Sequence, residues 1–293
     1  MTLIYYRKNT IIQTRVTVLH DNNLVKMLCK IIKILKITFI VVVISYCLEV
    51  ECGRVKRVVG GAAVECGAQP RVASLRNAST SQHLCGATVL TAEFASTAAH
   101  CVRADTQYLL QLDNWCGEPP KTRVLEVITH ELYDKYSRTH DIALLRTEPV
   151  DWPGINENVL PEHYFGATGE CTVYGYGVKN VTTNELSETL MAANVRIISL
   201  DECVEALGQY VAPAYDSGMT CAVGNGVDTC DGDSGGAMMC SGLLEGISSY
   251  GLGCLPGVPA VYTGVRAHLA WIQDIMQNGP QSTDYPAARH SNN

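Results

Sequence analysis

The run CDGDSGGAMMC, from Cys230 to Cys240, sets Ser234 among three glycines and two aspartates, with a cysteine at each end. A serine hydroxyl alone is a poor nucleophile, so catalysis by Ser234 requires a base, an acid that orients the base, and donors for a developing oxyanion. Upstream, TAAHC places His100 beside Cys101, and HDIALL places Asp141 at the head of an apolar, strand-like run. Each segment alone has a plain structural reading: a glycine-rich turn, a core histidine beside a disulfide, a turn-capping aspartate. Together they supply all three parts of an activated nucleophile. His140, next to Asp141, reads as an incidental surface residue rather than a second base.

These three motifs, in the order His, Asp, Ser, resemble the trypsin-like serine proteases of the chymotrypsin fold, whose triad is the standard template for such chemistry. The resemblance runs over most of residues 58 to 277. It implies that Ser234 attacks the scissile carbonyl, His100 accepts and returns the proton, and Asp141 holds the imidazole in the productive tautomer. It also implies an oxyanion hole formed by the backbone N–H groups of Gly232 and Ser234, where a side chain at position 232 would crowd the anion. RVVGG, at Arg57 to Gly61, resembles the activation site of the family. Cleavage after Arg57 would free the ammonium of Val58 to form an ion pair with Asp233 and order the oxyanion loop. The stretch Arg54 to Arg57 also has the paired-basic form cut by furin-like convertases, so the activating protease is either a convertase or another trypsin.

The same resemblance places Asp228 at the floor of the pocket for the side chain preceding the cut, with Thr229 beside it. A buried carboxylate there prefers a cation, which implies cleavage after Arg or Lys. Ser249, Tyr250, Gly251 and Ala260 would build the wall, with Tyr250 where the family has tryptophan and Ala260 where trypsins have glycine. One methyl in a filled pocket is worth roughly 1–3 kcal/mol, so Ala260 leaves chymotrypsin- or elastase-like specificity as the alternative. Asp231 puts a negative charge at the pocket rim. Ser249 is expected to hydrogen-bond Asp141. A third alternative is a non-catalytic binding homologue, although all three triad residues are present.

Thirteen cysteines behind a hydrophobic leader point to an oxidising compartment. The resemblance pairs Cys85 with Cys101, Cys171 with Cys240, Cys203 with Cys221, and Cys230 with Cys254. Cys66 with Cys116 is a further pairing open to Cys52, Cys66 and Cys116. No zinc-type spacing or acidic calcium loop is evident, so neither a metal nor a cofactor is expected.

The elements that must carry these groups are short and β-rich. Runs at 87–91, 108–112, 124–128, 142–145, 172–176, 195–198, 243–249 and 261–263 recur between turns, an all-β pattern. The resemblance implies two six-stranded antiparallel barrels, roughly 58–158 and 159–265, with the triad between them. A closing helix over 266–277 would set Leu269, Ile272 and Met276 on one face. The expected organisation is an N-terminal extension and signal peptide over 1–47, an activation propeptide over 48–57, a peptidase domain over 58–277 and a disordered tail over 278–293. Residues 37–47, preceded by Lys30, Lys33 and Lys36, form an apolar segment that reads as a secretory signal cut near Cys47, with a membrane anchor as the alternative. Met27 is the more ordinary start for such a signal.

Ten of the 22 Lys and Arg, but only three of the 29 Asp and Glu, precede Val58, which leaves 12 basic and 26 acidic residues beyond Arg57. That acidity argues against nucleic-acid or heparin-like partners and for a soluble extracellular enzyme, while the resemblance implies a secreted, monomeric protease acting on proteins or peptides, with protein inhibitors as further partners. Asn77 and Asn180 head possible glycosylation triplets.

Overall fold

The computed structural model describes the backbone of Thr2–Arg7 and Thr10–Arg15, and residues 61–68, 71–103, 105–112, 114–150, 155, 157–163, 169–180, 185–187, 189–225, 233–252, 255 and 257–279. The apolar leader, Arg57, Val58, the segment carrying Asp228, Thr229, Cys230, Asp231 and Gly232, Cys254, and the C-terminal tail beyond Gly279 lie outside the described residues. Strands β1 (Thr2–Arg7) and β2 (Thr10–Arg15) form an antiparallel hairpin that belongs to a separate unit, Met1–Arg54. No helix among the described residues is long and apolar enough to cross a membrane.

Within Val55–Asn293, the short β3 (Ala62–Ala63) is followed by β4 (Val72–Asn77), β5 (His83–Val89), β6 (Phe94–Thr97), β7 (Tyr108–Gln111), β8 (Lys121–Thr129) and β9 (Ala143–Thr147). The last six close into an antiparallel barrel in the order β4-β5-β6-β9-β8-β7. The second half contributes β10 (Glu170–Gly175), the small hairpin β11 (Val178–Asn180) and β12 (Glu185–Leu186), then β13 (Met191–Ile198), helix α1 (Leu200–Leu207), β14 (Met219–Gly224), β15 (Ala237–Cys240), β16 (Leu243–Tyr250), β17 (Ala260–Gly264) and helix α2 (Val265–Asn278). The order β10-β15-β16-β17-β14-β13 closes through the β10–β13 pairing, with Glu170 opposite Arg196 and Gly175 opposite Met191. Two closed six-stranded barrels result, as the resemblance implied.

Side-chain patterning accounts for the closure. β10 buries Cys171, Val173 and Gly175, while β13 buries Met191, Ala193 and Val195, so each turns one face inward at a period of two. Tyr262, Met238 and Ala260 fill the second barrel. Leu75, Ala87, Leu110 and Leu145 fill the first. A third apolar group joins Leu90, Ile142 and Leu144 to Leu244, Ile247, Leu269 and Ile272, and so ties the barrels and α2 into one body.

The division of the chain differs from expectation at its start. β3 pairs with Met191–Ala192 of β13, and Val64 N–H donates to Leu190 O at 2.9 Å, so the first described strand of the peptidase region lies on the second barrel. The strands at 72–77, 94–97 and 219–224 and helix α1 also exceed the expected set. Among the described residues there are four disulfides, Cys66–Cys116, Cys85–Cys101, Cys171–Cys240 and Cys203–Cys221, while the expected Cys230–Cys254 pair lies outside them.

Candidate active site

His100 sits in a 3₁₀ turn, Ala99–Cys101, at the exit of β6, and the Cys101–Cys85 bridge ties that turn to β5. Asp141 lies two residues before β9 and is fully buried. Its carboxylate receives three donors. Oδ1 accepts the His100 backbone N–H at 2.9 Å, and Oδ2 lies 2.7 Å from His100 Nδ1 and 2.5 Å from the Ser249 hydroxyl that donates to it. Burial pushes the Asp141 carboxyl upward, but the His100 and Ser249 hydrogen bonds outweigh it and hold the group below its ordinary value. An ionised acceptor at Oδ2 fixes the neutral imidazole with its proton on Nδ1, which leaves Nε2 free to act as a base.

Three further contacts brace the aspartate. The Thr263 hydroxyl on β17 donates to Asp141 O at 2.7 Å, and Arg138 Nη1 stands 3.8 Å from Oδ2. Ile142 N–H donates to His140 O at 2.8 Å, a tight turn whose central residue is Asp141. Of the contacts to Asp141 other than those of His100, the one from Ser249 is legible in the sequence. Thr263 reaches the Asp141 backbone carbonyl, and Arg138 the carboxylate, through pairings that no local motif announces.

Ser234 lies at a tight turn before β15. Gly236 N–H donates to Asp233 O at 2.9 Å, and Gly235 takes φ +76°, a left-handed conformation that glycine adopts without strain. The first barrel grips this turn from across the interface. Gly86 N–H on β5 donates to Ser234 O at 2.8 Å, and Thr97 Oγ1 donates to Gly86 O at 2.8 Å. The approach is so close that a Cβ on Gly86 would lie 2.6 Å from Gly236 Cα. Ser234 and His100 line the same cleft, of about 430 Å³, together with Leu84, Cys85 and Tyr108.

Asp233, the neighbour of Ser234, is buried, and its Oδ1 accepts the Gly177 N–H at 2.7 Å. A Cβ at either Gly175 or Gly177 would collide with its carboxylate, so these two glycines make the room it occupies. Tyr250 and Gly251 follow one another at the end of β16, opposite Ala260 at the head of β17. Tyr250 Oη donates to Val211 O at 3.2 Å, which fixes the ring, and burial pushes its phenol pKa upward. Ala260 is buried, 3.7 Å from where a Gly251 Cβ would stand.

His140 is not the incidental surface residue that its position suggested. It is half-buried, its ring stacks on His130, and its Nδ1 is 3.0 Å from His268 Nε2. Three histidines remote in sequence meet there because β8, the loop before β9 and α2 converge behind Asp141.

A pair of antiparallel barrels with a carboxylate-oriented histidine and a serine in the cleft between them defines a hydrolase of the acyl-transfer kind. The Trypsin family model matches residues 58–272. Human Kallikrein-14 is 31% identical over 233 residues, covering 76% of this chain and 85% of its own. Trypsin alpha of Drosophila erecta is 30% identical over 223 residues, covering 74% and 86%. Among solved structures, mouse neuropsin, a serine protease, superposes with a TM-score of 0.65 at 29% identity, covering 74% of this chain and 98% of its own. The chain belongs to the trypsin family and is a serine endopeptidase.

Proposed function

We propose that this endopeptidase is a secreted zymogen, cut after Arg57, that hydrolyses peptide bonds following Arg or Lys. The observation that carries the catalytic assignment is the Asp141–His100 pair, closed by two hydrogen bonds, in the same cleft as Ser234. Ser234 Oγ attacks the carbonyl carbon as its proton passes to His100 Nε2. The C=O π pair moves to the oxygen, which the N–H groups of Gly232 and Ser234 receive. His100 then protonates the departing amine nitrogen, the C–N bond breaks, and water releases the acyl group from Ser234 by the same steps. Asp141 stays ionised and stabilises the transient imidazolium.

Asp228 is assigned to the pocket floor, where its carboxylate selects a cationic side chain, with Thr229, Ser249, Tyr250 and Gly251 as the flanking groups. The burial of Ala260 at the pocket wall favours a second reading, in which its methyl narrows access and shifts preference away from the longest basic side chains. Asp233 is assigned as the partner of the Val58 ammonium. Its enclosure by Gly175 and Gly177 supports the assignment, since a buried carboxylate is tolerated when paired. Protein substrates, protein inhibitors, an activating protease and a monomeric state complete the proposal.

The test is cleavage at Arg57 followed by assay on matched Arg, Lys, Phe and Ala peptide esters. Turnover of the Arg and Lys esters that is lost in Ser234→Ala is expected. Hydrolysis confined to Phe or Ala would replace the specificity assignment, and full activity in an uncleavable Arg57→Gln variant would remove the zymogen.

A further inference from the structure

Three of the four disulfides among the described residues are folded into the barrels. Cys203, Cys221, Cys171 and Cys240 are buried, and Cys85 is buried with its partner Cys101 half-buried. Cys66–Cys116 is different, since both of its residues are exposed. Cys66 stands in a turn closed by Ala68 N–H to Glu65 O at 3.2 Å, where Gly67 takes φ +75°. Cys116 lies in the loop between β7 and β8, ahead of Gly117 at φ +110°. Among the described residues, a Cβ on Gly67 would meet Cys116 Sγ at 3.4 Å and one on Gly117 would meet nothing within 4 Å, so the glycine after each cysteine leaves the bridge uncovered. Attack by a thiol needs such access, and exposed bridges are the labile ones.

We propose that Cys66–Cys116 is a site of reductive modification by a dithiol, and that opening it loosens the hold of the enzyme on the Val58 ammonium. A thiolate of the reductant forms an S–S bond to Cys116 Sγ as the Cys116–Cys66 bond breaks and its electron pair leaves on Cys66 Sγ. The second sulfur of the reductant, as thiolate, then displaces Cys116 Sγ. The reductant ends as a disulfide, oxidised by two electrons, and its two protons end on Cys66 and Cys116. Glu65 and Glu118 are exposed, stand near the two cysteines in the chain and set negative charge at the site, which favours a neutral dithiol over an anionic thiol.

The bridge ties a strand of the second barrel to a loop of the first. β3 lies on β13 through two paired residues, and Val64 N–H donates to Leu190 O, whereas Cys116 sits between two strands of the first barrel. The coupling rests on the cleavage after Arg57 and the Val58–Asp233 pair proposed above. When β3 lifts away, a closed bridge still fixes the chain at Cys66, eight residues after Val58. With the bridge open, the next strand to hold it begins at Val72, fourteen residues after Val58. The effective concentration of a tethered end falls roughly as the −3/2 power of tether length, so Val58 returns to Asp233 about twofold less often.

The chemical arm of the test uses the full chain carrying Ser234→Ala, so it does not depend on activity. Folded protein is titrated with dithiothreitol, free thiols are capped with N-ethylmaleimide, and the capped peptides are weighed. Cys66 and Cys116 are expected to be capped at a reductant concentration at least about tenfold below that needed for Cys85–Cys101, Cys171–Cys240 or Cys203–Cys221. Opening of any of these three first, of all four together, or of none before the protein unfolds overturns the site. The coupling arm follows the half-life of activity in cyanate, which carbamoylates a released amine, on enzyme cleaved at Arg57. A half-life shortened about twofold or more once the bridge is opened and capped is expected, with the same short half-life in a Cys66→Ser, Cys116→Ser double variant with or without reductant. The closed and opened parent suffice if the double variant does not fold. Equal half-lives in those two forms overturn the coupling alone. Activity untouched by cyanate in both overturns the coupling together with the Val58–Asp233 pair.

Discussion

Gly86→Ala perturbs the grip that the first barrel holds on the nucleophile turn. Gly86 has an ordinary strand φ, so the substitution introduces no backbone strain of its own and acts through volume alone. Its new Cβ would stand 2.6 Å from Gly236 Cα and 2.8 Å from Gly236 N, both backbone atoms that cannot swing aside. Carbon atoms in contact sit about 3.5–4.0 Å apart, so one side must retreat by about 1 Å. β5 is pinned between β4 and β6 and by the Cys85–Cys101 bridge, whereas residues 233–236 form a turn. The turn therefore moves, and it carries Ser234 away from His100 while stretching the Gly86 N–H to Ser234 O bond. Overpacking of this size costs about 1–3 kcal/mol. For a domain of this size, a mid-range 2 kcal/mol lowers Tm by about 4–8 °C. Misplacing a nucleophile by about 1 Å costs on the order of 100-fold in rate. The assays are thermal unfolding and kcat/KM on a peptide ester after the proposed cleavage at Arg57. A Gly86→Ala enzyme that melts a few degrees lower yet retains kcat/KM within twofold of the parent would refute the claim that β5 positions Ser234.

Three other perturbations follow from the same structure. Ser249→Ala removes the hydroxyl that donates to the buried Asp141 carboxylate at 2.5 Å. A hydrogen bond to a charge is worth about 1.5–3 kcal/mol, so kcat should fall about 10-fold or more, the Asp141 carboxyl should rise toward its ordinary value, and a pH–rate profile should lose activity at higher pH on its acid side. Burial depresses His268 from 6.5 to about 4, so between those values the unfolded chain binds the proton that the folded chain refuses. Stability contributed by this group is intact above pH 6.5 and falls as the pH drops toward 4, by up to about 3 kcal/mol, as denaturant unfolding of Ser234→Ala at pH 7.5 and pH 5 would register. Glu245→Ala strips the carboxylate from a buried pair in which Arg266 Nε and Nη2 donate at 2.7 and 2.5 Å, and a loss of about 3 kcal/mol in chemical denaturation is expected.

The reach of sequence reasoning follows the range of the interactions. Ser234, His100 and Asp141 were legible because each is embedded in a short run whose residue types the chemistry demands. Ser249 was legible as a partner of Asp141 through the same resemblance. The parts that escaped depend on distant chain segments. β4 buries Val72, Ala73, Ser74 and Leu75 in succession, because its neighbours cover both faces, and so it shows no alternation to read. Helix α1 is eight residues long, yet Ser199 and Glu202 cap it reciprocally, a pattern that stands in the sequence as Ser-x-x-Glu between two strand-like runs. The histidine cluster draws on positions 130, 140 and 268, none of which is unusual in its own surroundings.

The placement of β3 on the second barrel has a consequence in time. Ala63 pairs with Met191, well over a hundred residues further along the chain. At a synthesis rate of about 5–20 residues per second, the start of the peptidase region waits roughly 6–26 seconds after emerging before its pairing partner is made. Cys116 emerges much sooner, and its bridge to Cys66 lets the oxidising machinery moor this segment to the first barrel while the second is still being synthesised.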